Sequence, residues 1–143
     1  MITRWFTSIR VFLVWLLGFA LALIIMALGH ELIMSFLAKT LNSGRYFVRL
    51  VYVVYFTIAG LLCVAYYILI HDFLSTSAKK GRLLKNSLLT IGIQVLIIWL
   101  IHLGLLSYGY FPLDKLSILI ITIEGLVGAA MLFFALRKKK ISA

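Results

Sequence analysis

The sequence has a single cysteine, four acidic residues and little charge of either sign, and each scarcity removes a class of protein. Cys63 alone excludes an intramolecular disulfide, a CxxC redox pair and a cysteine-built metal centre. Charged residues are 13% of the 143, against roughly 25% in an ordinary soluble domain. The chain also lacks any serine, cysteine or paired-aspartate constellation with the spacing of a catalytic triad or a metalloprotease helix, so a non-enzymatic protein is expected. What is abundant is hydrocarbon: 64% of the residues are hydrophobic and the mean hydropathy is +1.15. A water-soluble fold this short leaves too much of its chain area facing solvent to hide that much apolar surface. The expected solvent is lipid.

Charges punctuate four nearly uncharged stretches, 11–37, 50–70, 87–106 and 116–136, each long enough to cross about 30 Å of hydrocarbon at 1.5 Å per residue. Barrel strands alternate in polarity over about ten residues, whereas 11–28 is apolar throughout apart from Gly18. The expectation is an all-α fold, a four-helix transmembrane bundle forming one domain over 1–143. Four spans of about 20 residues each leave about sixty for loops and tails, too few for a catalytic domain beside the membrane part. Ala20-Leu21-Ala22, after Arg4 and Arg10, resembles a signal-peptide cleavage site, but the apolar run continues past it and reads as a retained first span. Asn42-Ser43-Gly44 reads as a turn, and Pro112 precedes a helix start at Asp114, whose carboxylate complements the helix dipole.

Basic residues set the expected orientation, because basic loops stay in the cytoplasm. Arg4, Arg10, Lys79, Lys80, Arg82, Lys85 and the run from Arg137 to Lys140 make ten on one side of a four-span arrangement; Lys39, Arg45, Arg49 and Lys115 make four on the other. Both termini are therefore expected in the cytoplasm. The net charge of +10 sits at span ends, where it reads as attraction to anionic lipid headgroups, not to nucleic acid. Trp5, Tyr46, the Tyr52/Tyr55 pair and the Tyr66/Tyr67 pair read as interfacial belts.

An ionisable group inside hydrocarbon costs roughly 2.5 to 3.5 kcal/mol, so it is expected to face protein, a partner or water. The candidates are His30 and Glu31 in the first span, Gln94 and His102 in the third and Glu124 in the fourth. Depth brings His30, Glu31, His102 and Glu124 into the outer half of the bundle, with Arg49 near enough in height to neutralise a carboxylate; His71 and Asp72 fall at the opposite face. Ser87, Thr90, Gln94, Ile98 and His102 form one drifting stripe that is expected to face inward, and Glu124 shares a face with Gly128. His102 or Gln94 is the expected hydrogen-bond partner of Glu124. Gly18/Ala22 and Gly125/Ala129 are small-xxx-small pairs that allow close helix approach within the chain or in a homo-oligomer or larger membrane complex.

Four chemical readings fit this group. It serves as polar glue between helices, as a proton or ion pathway with Glu124 as carrier, as a metal site built from His30, Glu31 and His102, or as a b-type haem site with His30 and His102 as axial ligands in an electron-transfer subunit. No cofactor is required by the first two.

Gly29-His30-Glu31 near the end of a long first span, and Pro112-Leu113-Asp114 opening a fourth span that closes with Arg137 to Lys140, resemble the phosphate-starvation-inducible E family of small bacterial membrane proteins. The order and spacing of the spans are also similar. The resemblance implies a bacterial inner-membrane protein linked to stress or nutrient limitation.

Overall fold

Lipid offers the backbone no hydrogen-bond partner, so each apolar stretch satisfies its own amides and carbonyls by coiling into a helix. A computed structural model describes residues 2–40, 45–110 and 112–137, with side chains over 8–39, 46–110 and 112–137. The helices are α1 (Ile2–Thr40), α2 (Arg45–Lys79), α3 (Leu83–Ser107) and α4 (Lys115–Leu136), and no strand occurs among the described residues. All four are long and apolar enough to cross a membrane. The Asn42-Ser43-Gly44 turn and the basic run 138–140 lie outside the described residues.

Helix lengths are unequal. At 39 and 35 residues, α1 and α2 measure roughly 58 and 52 Å, well beyond a hydrocarbon core. The 25 and 22 residues of α3 and α4 measure roughly 37 and 33 Å. α2 therefore continues past Ile70, carrying His71 and Asp72, both exposed, onward to Lys79.

The same device ends α2 and α3. Arg82 N–H donates to the Ser77 carbonyl and Gly81 N–H to that of Ala78; Tyr110 N–H donates to Leu105 and Gly109 N–H to Leu106. These 6→1 and 5→2 bonds form Schellman caps, whose penultimate position requires the left-handed backbone that glycine adopts freely. Gly81 and Gly109 sit there with φ of 66° and 75°. α4 begins differently, with Asp114 as N-cap accepting from the Ser117 N–H at 2.9 Å. The Ser117 hydroxyl and that N–H hold the Asp114 carboxyl below the usual carboxylate range.

Packing runs in the order α2, α1, α3, α4. α1 lies against both α2 and α3, α2 touches α3 lightly, and α4 meets α3 alone. The bundle is therefore open, with no α1–α4 contact among the described residues to close the ring. The chain exposes 10614 Å², whereas a compact globular chain of its 16.2 kDa exposes roughly 7,500 Å².

Each helix nevertheless has an inward face. On α2 it is the row Tyr55, Ala59, Cys63, Tyr66, Ile70, Leu74 and Ser77, spaced by fours and threes, of which the last three are buried. At one end of the bundle Val11, Ile70 and Leu74 form a small core with Trp15 and Leu83 around it. There Asn86 donates to the Ser77 hydroxyl at 2.7 Å, and the Trp15 indole donates to the Tyr67 carbonyl at 3.2 Å.

Candidate polar site

α3 and α4 approach closely because glycines leave room for the facing side chains. A Cβ on Gly128 would stand 2.8 Å from Leu96, and one on Gly125 would stand 2.8 Å from the Trp99 indole nitrogen. One turn N-terminal to Gly128, Glu124 reaches across this seam. Its Oε2 lies 2.7 Å from His102 Nδ1, with 23% and 17% of the two side chains exposed. The hydrogen-bonded pair is the shortest polar contact between α3 and α4 among the described side chains. The expected inward direction of Glu124 and its pairing with His102 are thus observed. Beside it, an apolar groove of about 400 Å³ opens between Trp99, Leu103, Ile118, Thr122 and Leu126. The Thr122 hydroxyl donates to the Ile118 carbonyl, so the groove is mostly apolar.

Gln94 does not join this pair. Its Nε2 donates to the Gly18 carbonyl on α1 at 2.8 Å, and the residue is 5% exposed. The reason is helical phase: eight residues at 3.6 per turn leave an offset of about 80°. The polar stripe on α3 consequently turns from α1 at Gln94 to α4 at His102, with buried Ile98 between them.

His30 also has separate surroundings. Its ring packs against Tyr52, Tyr55 and Phe56 of α2 at centroid distances of 5.1, 5.8 and 5.1 Å. Leu32, two residues on, covers Gly104 of α3, where a Cβ would stand 2.9 Å from it. Two residues turn a helix by about 200°, so a Leu32 that faces α3 commits His30 to the opposite side. The structure gives no facing pair of His30 and His102, which the haem reading requires. Among the described residues no three His, Cys, Asp or Glu side chains gather as a metal set, so His30, Glu31 and His102 do not form the expected triad.

Glu31 lies 3.6 Å from His30 Nδ1 and accepts a hydrogen bond from the Tyr110 hydroxyl. That bond, with the carboxylate charge, holds the Tyr110 phenol above its ordinary value. Together with Phe36 against Tyr108 at 5.8 Å and Lys39 over the same ring at 5.6 Å, it clasps the α3–α4 connection to the end of α1. Arg49 is exposed and makes no ion pair with these acids among the described contacts.

Two tyrosines of the expected belts turn toward neighbouring helices and are half-buried. Tyr55 donates to the Met26 carbonyl and packs on Gly29, and Tyr66 lies against Gly18. The four-and-three spacing on α2 is the signal that finds them. Gly18 and Gly125 are both covered within the chain, by Tyr66 with Gln94 and by Trp99 respectively.

Fold and site together define a multi-pass membrane protein whose two most peripheral helical contacts are locked by polar side chains. No family model, curated protein or solved structure matches the chain.

Proposed function

We propose that the chain is a non-enzymatic accessory subunit of a membrane assembly, working through lateral contact with other transmembrane helices. The observation that carries this reading is the open order of the helices: among the described residues α4 packs on α3 alone and its flank toward α1 has no neighbour. The excess of exposed area supports it, since side chains such as Leu126 at 67% and Leu61 at 68% exposure have only lipid or a partner to face. A conduction path is less well supported. On the α3 stripe the polar groups at Gln94 and His102 turn to different helices and are separated by buried Ile98. The resemblance to the phosphate-starvation-inducible E family adds a bacterial inner membrane and a link to nutrient stress to the same reading.

Mass measurement of the full chain in mild detergent and in lipid nanodiscs tests the proposal. Particles holding more than one polypeptide, either copies of this chain or a co-purifying membrane subunit, are expected. One copy per particle across a wide concentration range would overturn it.

The same reading places the α2–α3 connection and both termini in the cytoplasm, on the strength of the ten-to-four basic bias. Ser77 is 3% exposed and bonded to Asn86, which makes it a poor labelling position; Lys80 is exposed. In a Cys63→Ala background, Lys80→Cys is expected to resist a membrane-impermeant maleimide in intact cells and to react once the membrane is opened. Labelling from outside intact cells would reverse the topology.

A further inference from the structure

About the middle of α3, two buried polar atoms lack partners that their chemistry demands. Gln94 spends its amide nitrogen on the Gly18 carbonyl at 2.8 Å, which also settles the orientation of the amide, since the opposite assignment would set oxygen against oxygen. Among the described residues its buried Oε1 accepts no hydrogen bond, and the buried Tyr66 hydroxyl likewise has no partner. One is an acceptor and the other a donor. Both face the same spot: from the position a Gly18 Cβ would occupy, Tyr66 Oη is 3.2 Å and Gln94 Oε1 is 3.7 Å away. The two atoms converge from α2 and α3 on a place where α1 has no side chain.

We propose that this junction of α1, α2 and α3 binds a single water molecule, which accepts from the Tyr66 hydroxyl and donates to Gln94 Oε1 beside Gly18. A buried group left without a partner carries its full desolvation penalty. That cost is hardest to escape in hydrocarbon, where bulk water is absent. Buried waters typically make two to four hydrogen bonds to such orphaned groups, and this site offers two of complementary sense. Two neutral oxygens fall far short of the six or more that replace the hydration shell of a divalent cation, so water and not a metal ion fits the donor set. Glycine at position 18 has a second role here, because a methyl group would occupy the space the water needs.

Water-edited solid-state NMR of the full chain in lipid bilayers, with labelled glutamine, tyrosine and isoleucine, reads this site directly. The Gln94 side-chain carbonyl is expected to receive polarisation from water while Ile98, one turn further along α3 and 7% exposed, does not. Gly18→Ala is expected to abolish the Gln94 signal. Tyr66→Phe, which removes only one hydroxyl and serves if the alanine variant does not fold, is expected to reduce it. A Gln94 carbonyl as dry as Ile98 in the unmodified chain, an unchanged signal in Tyr66→Phe, or a hydrogen-bond coupling directly between Tyr66 and Gln94 would each overturn the proposal.

Discussion

Gly128→Leu is expected to force α4 away from α3 and to lower stability by about 3 kcal/mol, the upper range for inserting carbon into a packed contact. The site has little room to yield. A Cβ alone would stand 2.8 and 2.9 Å from Leu96 side-chain carbons and 3.3 Å from the Leu96 backbone nitrogen. The leucine side chain can rotate away, but the backbone nitrogen moves only with the whole of α3. Because α4 has no contact with α1 or α2 among the described residues, its packing depends on this seam. Gly60→Leu supplies the control, since nothing lies within 4 Å of a Cβ there. At that position the better helix propensity of leucine, worth up to about 1 kcal/mol over glycine, acts without opposition. Reversible unfolding in mixed micelles measures both variants, and equal stability for the two would refute the account of the seam.

The second large effect concerns Glu124 and His102. Removing either partner deletes this hydrogen bond from the apolar seam, so Glu124→Ala and His102→Ala are each expected to cost on the order of 1–2 kcal/mol, near the top of the range for hydrogen bonds between transmembrane helices. The double variant is expected to cost little more than either single change, because one broken contact cannot be broken twice. Glu124→Gln keeps an acceptor oxygen of the same reach and is expected to stay close to the unmodified chain. The same micelle unfolding measurement forms the cycle. Strictly additive costs would mean that the 2.7 Å contact contributes nothing. The expectation is about stability, which fits the polar-glue reading of this pair.

Much of the architecture was legible beforehand because it depends on quantities that add along the chain. Four apolar stretches of sufficient length define four helices wherever the backbone must satisfy itself. Asp114 was legible as a helix start, and the structure adds its side-chain bond to the Ser117 amide. Glu124 and Gly128 were legible as one face because residues four apart always share one. The group expected around Glu124 was legible only in part. His102 belongs to it, whereas the stripe that carries Gln94 inward turns it to α1, and His30 and Arg49 were placed by depth, which says nothing about the direction in which a side chain points.

By itself the sequence determined four helices apolar enough for lipid and the sharing of one helix face by Glu124 and Gly128. Only the tertiary structure decided which helices are neighbours, that α4 stands at the edge of an open array, that His30 turns to the aromatic rings of α2, and that Tyr66 and Gln94 meet over Gly18. The physical reason lies in the lipid. In water the buried face of a helix is marked by its apolarity, but in a bilayer the face toward a neighbour and the face toward an acyl chain are equally apolar, so pattern loses its power to orient. What orients these helices instead is close fit at a few glycines and a few hydrogen bonds, and a helix turning about 100° per residue converts small differences in position along the chain into different partners.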